Sequence, residues 1–205
     1  MRIISSVSIN MTAHILMACW LFTSCAAPAQ RLTTGDMSIT RPGATAVVVV
    51  HSRSGNTAAL GLRISEAMGS DYIRLETPPG AGDTYLSYTE RNDKVDINPR
   101  SADLARYRLV FLGSPIWFWH PTAFIYTFIN NNDLSGKKVV LFYTNQGGLA
   151  KDAIDEWKAI VQKRGGTVID VIGINRNEFE NDAALQSEIK TQVEKHKRVW
   201  INKSD

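Results

Sequence analysis

The stretch VVVVHSRSGNTAAL, Val47 to Leu60, changes character twice. Four consecutive valines have no polar alternation, which is the mark of a strand buried on both faces. A polar cluster follows: Ser52, Arg53, Ser54, Gly55, Asn56 and Thr57. Then Leu60, Ile64, Ala67 and Met68 recur at helical spacing. The cluster therefore lies between the carboxyl end of a strand and the start of a helix. Helix starts present unpaired N–H groups and a partial positive charge. Three hydroxyls, an amide and a close-approaching Gly55 backbone suit a phosphate. The lysine of a triphosphate loop is missing, and so is the GxGxxG of a dinucleotide site. A single monoester phosphate fits such a lysine-free cluster. The Arg53 side chain can face either that anion or solvent.

Outward from this unit the pattern repeats. Strands are expected at Ala46–Val50, Asp71–Glu76, Tyr107–Leu112, Lys138–Tyr143 and Thr167–Ile174. Helices are expected at Thr57–Met68, from Pro121 onward through Ile129, at Ala150–Arg164 and at Asn181–Trp200. Shorter helices are expected after Ser101 and over Tyr85–Arg91. Alternating strands and helices imply a parallel sheet covered on both faces. Ligands of such sheets sit beyond the carboxyl ends of the strands. The loops after the first, third and fourth strands are therefore the place for chemistry.

The loop after the third strand is GSPIWFWHP, Gly113 to Pro121. Its exposed aromatics are costly unless a flat group covers them. The loop after the fourth strand, TNQGG, offers amides without apolar bulk. One loop for a phosphate, one for a flat ring and one for the ring's edge describe a flavin mononucleotide (FMN) site. Trp119 reads equally as a ring contact or as packing against the following helix. His51 and His120 read first as histidines satisfied by backbone partners, with a place beside the ring as the alternative. No histidine–carboxylate spacing suggests a metal, and no GxSxG elbow is present.

The 205 residues are 44% hydrophobic and 21% charged, with a formal net charge of +3. That is an ordinary globular composition with room for a sizeable core. No basic stretch is dense enough to track nucleic acid. The cluster Lys195–Arg198 reads as a solvated helix end. At the N-terminus, Ala13–Phe22 is an apolar run too short to span a bilayer as a stable helix. Arg2 precedes it and small residues follow, the layout of a secretory signal. Ordinary cleavage after Ala27-Pro28-Ala29 fits this layout, ahead of a tether reaching about Ala44 and a folded domain over 45–205. The only cysteines are Cys19 and Cys25, so that domain holds no thiol.

Two resemblances sharpen this reading. FTSC, Phe22 to Cys25, is similar to the lipobox of bacterial lipoproteins, with Phe22 where an aliphatic residue is usual. That resemblance implies cleavage before Cys25 instead, with a signal over 1–24 and a tether over 25–44, lipidation of Cys25 and a membrane-anchored protein of the cell envelope. SRSGNT resembles the phosphate loop of the flavodoxin family. GSPIW and DLSGKKVVLFYTNQGG resemble that family's ring-binding loop and fourth strand. The similarity covers about Val47 to Ile174.

It implies a doubly wound, three-layer α/β/α domain with five parallel strands in the order 2-1-3-4-5. It implies noncovalent FMN, its phosphate held by Ser52, Ser54, Gly55, Asn56 and Thr57, with Arg53 a site candidate from its place in the same loop. Ser114, Pro115, Ile116, Trp117 and Phe118 would line the ring, and Thr144, Asn145, Gln146, Gly147 and Gly148 its other edge. The implied role is electron transfer, to a partner protein or a small acceptor such as a quinone. The alternatives are an FMN-dependent NAD(P)H or quinone reductase, and a cofactor-free binding module. No catalytic residue of the chain itself is implied. The slightly basic charge departs from the acidic electron-shuttle flavodoxins.

Overall fold

A computed structural model describes residues 38–77, 95–149 and 151–204. Its elements are β1 (Ser38–Ile39), β2 (Ala46–His51), α1 (Asn56–Met68), β3 (Asp71–Leu75), β4 (Leu109–Trp117) and β5 (His120–Pro121). Then come α2 (Ala123–Asn130), β6 (Lys138–Asn145), α3 (Ala153–Lys163), β7 (Thr167–Asn175), a 3-10 turn (Arg176–Glu178) and α4 (Asp182–Ser204).

The β-branched run of β2 is buried along its whole length, because both of its faces are covered. Successive side chains on a strand point to opposite faces. Val47 and Val49 accordingly join one core with Phe124, Phe128, Trp157 and Val161 from α2 and α3. Val48 and Val50 join a second with Leu60, Ile64, Leu185 and Trp200 from α1 and α4. Two cores on one sheet make three layers. The sheet runs β1-β3-β2-β4-β6-β7. Its five long strands are parallel throughout. Numbered among themselves they have the expected order 2-1-3-4-5. All their carboxyl ends lie at one end of the domain.

Four expectations need correction. Pro121 does not begin a helix. β4 continues to Trp117, turns through Phe118 and Trp119, and returns as β5, so that Ile116 pairs with Pro121. The helix starts after Thr122. Residues following Ser101 form turns without a helix. The third helix begins at Ala153, three positions after the expected start. Finally, the stretch expected as tether is part of the fold from Ser38 on. β1 pairs antiparallel with β3. The Arg41 amide donates to Asp71 at 2.6 Å, and its guanidinium donates to Ser65 Oγ at 2.8 Å. Buried Asp71 also accepts from the Tyr107 hydroxyl at 2.6 Å and from Arg106. Burial would raise the Asp71 carboxyl, but Tyr107, the Arg41 amide and Arg106 together hold it below the usual carboxylate range. The signal, Cys25, the first part of the tether and the Tyr85–Arg91 helix lie outside the described residues.

Candidate functional site

A cleft of about 620 Å³ opens at the carboxyl ends of the strands. Three loops predicted from sequence meet in it. Arg53, Ser54 and Asn56 come from the loop after β2; Pro115, Ile116, Trp117 and Phe118 come from the end of β4. Thr144, Asn145 and Gln146 come from the end of β6. Arg176, after β7, completes the wall.

At the first loop, Gly55 caps α1 with φ 93°, a left-handed conformation that a side chain would strain. No side chain caps this helix start. The first intrahelical bond there runs from the Ala59 N–H to the Gly55 carbonyl at 2.8 Å. Helix geometry therefore leaves the N–H groups of Asn56, Thr57 and Ala58 without an intrahelical acceptor. These donors and the positive end of the α1 dipole suit an anion. Thr57 is buried, and its hydroxyl lies 2.6 Å from that of Thr144. Ser52 is also buried, and its carbonyl accepts from Arg74 at 3.2 Å.

The second loop is rigidly framed. Gly113 faces Phe142 on the adjoining strand; a Cβ there would stand 2.1 Å from the ring. The Ser114 hydroxyl accepts from the Thr122 N–H at 2.9 Å and lies 3.1 Å from the Thr122 hydroxyl. Thr122 in turn reaches His51 Nδ1 at 3.2 Å. His51 is buried with its ring 4.3 Å from that of Phe124 and 5.5 Å, edge to face, from that of Trp117. Burial, helped by nearby Arg74, lowers the His51 pKa from 6.5 to about 3. A neutral imidazole therefore braces Trp117. Trp117 lines the cleft while also packing on the core below.

Phe118 and Trp119 form the two-residue turn between β4 and β5, with φ 47° and 68°. Left-handed values at both positions define a type I′ turn, which ordinarily holds Asn and Gly. Both aromatics are exposed, 43% and 59%. Trp119 crosses to the third loop: a Cβ on Gly148 would stand 2.8 Å from its Cδ1 and 2.9 Å from its Nε1. Its indole thus lies against Gly148 of the TNQGG loop.

In the third loop, Asn145 Nδ2 donates to the Gly147 carbonyl at 3.0 Å. That bond fixes the amide with its oxygen turned away from Gly147. Asn145 Oδ1 is buried and has no partner. A buried acceptor left unpaired costs ~1–3 kcal/mol, so a donor from a bound ligand would relieve it.

Of the sixteen residues singled out from sequence, those from each loop converge, but not all line the cleft. Ser52, Gly55, Thr57, Ser114, Gly147 and Gly148 shape the loops from behind or beside it. Arg53 is exposed and lines the wall. Arg176 escaped the sequence reading, which weighed only the loops after the first, third and fourth strands. The rule that ligands lie at strand carboxyl ends, extended to the fifth strand, points to it. His120 lies 3.5 Å from Glu156, away from the cleft lining.

The sequence profile of the family described as Flavodoxin matches residues 45–172. The chain has no significant match among curated protein sequences. Among solved structures, a protein assigned as a flavoprotein in Bacteroides uniformis is 20% identical, with 74% of this chain and 99% of that one covered at a TM-score of 0.59. A Lactobacillus acidophilus flavoprotein in complex with FMN is 22% identical, with 63% and 93% covered at a TM-score of 0.52. A short-chain flavodoxin associated with a PDU bacterial microcompartment is 14% identical, with 79% and 99% covered at a TM-score of 0.53. At these identities the likeness is one of fold.

Proposed function

Because the chain belongs to the flavodoxin family, we propose that it is an electron-transfer protein working through noncovalently held FMN, exported and anchored in a bacterial cell envelope by lipid on Cys25. The observation that carries the cofactor is one cleft that joins an aromatic wall, Trp117 and Phe118, to the uncapped start of α1, with Asn145, whose Oδ1 has no partner, in its lining. The imide N–H of the flavin ring is a donor of the right kind.

The residues divide the work by chemistry. The free N–H groups at the start of α1 would hold the phosphate, with Ser54, Asn56 and the Thr57 hydroxyl beside them. Trp117 offers its indole to a flat ring, and His51 and Phe124 keep that indole from turning. Asn145 and the TNQGG backbone would orient the ring's polar edge. FMN supplies reversible acceptance of one or two electrons, which no side chain here provides. The role left to the protein is to bind, orient and set the electrostatics of the ring.

Export and anchoring rest on the N-terminal sequence: Arg2, the apolar run Ala13–Phe22 and the lipobox-like FTSC. The partner of such a protein would be a redox protein or a small acceptor such as a quinone at the membrane.

The test is direct. The purified full chain should be yellow, should release FMN on denaturation, and should bind FMN more tightly than riboflavin. A colourless protein that stays colourless with added FMN removes the reading and leaves a cofactor-free binding module. Equal affinities for FMN and riboflavin remove the phosphate assignment. For the anchor, radiolabelled palmitate should enter the parent chain and not Cys25→Ser; labelling of both, or of neither, removes it.

A further inference from the structure

Arg176 lines a wall of the cleft that the phosphate loop and the two ring loops do not account for. It opens the 3-10 turn directly after β7. The residue before it, Asn175, pairs with Asn145 across the β6–β7 ladder. Arg176 therefore stands beside the residue whose oxygen awaits a donor. Its place is fixed on several sides. Nη1 donates to the Phe179 carbonyl at 2.7 Å, and Nη2 donates to Asp182 at 3.1 Å. The neighbouring Asn177 side chain donates to the Gln146 carbonyl, which ties the turn to the β6 loop.

Strand order then says which end of a ligand Arg176 faces. β2 carries the phosphate loop, and β7 lies three positions away in the sheet, beyond β4 and β6. At ~4.8 Å per position that is ~14 Å. Arg176 is thus well across the sheet from the phosphate loop, where a ring held in the cleft would present its far edge. Its counterion does not silence it. The Asp182 side chain is 82% exposed, whereas that of Arg176 is 23% exposed. The carboxylate is screened by water more strongly than the guanidinium beside the cleft. Among the described residues that line the cleft, two are arginines and none is acidic.

We propose that Arg176 compensates the negative charge that the ring acquires on full reduction, and so sets the two-electron potential of the protein. This rests on FMN being the ligand. Two electrons and one proton added to the ring leave it with one negative charge at neutral pH. A cation at the ring's pyrimidine edge favours that state over the neutral oxidised one. Arg176 is thus a tuning residue, distinct from those that bind the phosphate or stack on the ring.

The experiment is a dithionite titration of the full chain with FMN bound, against a reference dye, alongside Kd for oxidised FMN. Arg176→Gln should hold reduced FMN about tenfold less tightly relative to oxidised FMN. For a two-electron couple that is a fall of ~30 mV in midpoint potential. Kd for oxidised FMN should change by no more than about twofold on the same Coulomb argument, because the oxidised ring is neutral. Arg176→Lys keeps the charge but not the forked hydrogen bonds, and should titrate near the parent. Overturning results are equal midpoints for parent and Arg176→Gln, or an Arg176→Lys that falls as far as Arg176→Gln. The second would mean that the arginine only shapes the turn. Both leave FMN binding intact. A parent chain that takes up no FMN overturns this proposal together with the reading beneath it, so the two failures look different.

Discussion

The hydroxyls of Thr57 and Thr144 lie 2.6 Å apart, joining the first turn of α1 to the end of β6. One residue belongs to the phosphate loop and the other to the loop at the ring's edge. A hydroxyl can donate once and still accept. With Thr144 donating, the Thr57 proton is left for an anion. Thr57→Val should raise Kd for FMN by about tenfold while leaving riboflavin unchanged, as a charge-assisted hydrogen bond is worth ~1.5–3 kcal/mol. Thr144→Val should cost ~1 kcal/mol of stability, and the double variant less than the sum. Titration calorimetry and urea unfolding read the two effects. Equal losses for FMN and riboflavin in Thr57→Val would contradict the division.

The opposite end of the site has the reverse signature. Asn145→Leu removes the unpaired oxygen and should weaken FMN and riboflavin alike, by about tenfold each, since the loss of one neutral hydrogen bond in a buried site is worth ~1–1.5 kcal/mol. Fluorescence quenching of either flavin measures it. An unchanged affinity would mean that Asn145 does not meet the ring.

His51 makes the domain sensitive to mild acid. Its pKa is about 3 in the folded protein, against an ordinary 6.5. Between these values the unfolded chain binds the extra proton, so stability falls as pH falls. The contribution is complete above about pH 6.5 and is lost progressively down to about pH 3. From pH 7.5 to pH 5 the parent should lose ~2 kcal/mol through this group. Asp71, whose folded pKa is depressed, acts in the same direction only at still lower pH, below its ordinary 3.8. In His51→Leu the pH 5–7.5 slope should flatten, as read by urea unfolding at each pH. An unaltered slope would assign it elsewhere.

The turn at Phe118 and Trp119 exchanges stability for an aromatic rim. Replacing the pair by Asn-Gly, through Phe118→Asn and Trp119→Gly, suits a type I′ turn and should raise stability by ~1 kcal/mol or more. The same change strips Phe118 from the cleft and Trp119 from Gly148, and flavin binding should weaken. A stability gain without loss of flavin would show the aromatics to be incidental.

Gly113→Ala tests the frame. The added methyl would meet buried Phe142 at 2.1 Å, in a β4–β6 pair with no slack. The cost should be ~3 kcal/mol, seen as a lower urea midpoint with an unchanged slope. A neutral result would mean that the ring can rotate away.

Much of the fold was legible because buried parallel strands leave a run such as Val47–Val50 that nothing else explains. Element ends were less so. Pro121 is compatible with a helix start, and only the pairing of Ile116 with Pro121, a contact formed through the left-handed turn, sends it elsewhere. The same turn carried Trp119 to Gly148, which no local pattern reveals. The resemblance places Ser114 along the ring, but no local pattern reveals that its hydroxyl accepts from the Thr122 N–H and donates to the Pro115 carbonyl. The role of His51 depends on Phe124 and Trp117 closing around it, and that of Arg176 on β7 lying next to β6. Neither relation is encoded within a short stretch.

The edge strand β1 has a direction as well as a place. It runs antiparallel to β3, so Ser38 lies nearer the carboxyl ends of the parallel strands than Ile39 does. The polypeptide thus enters the domain travelling away from the end where the cleft opens.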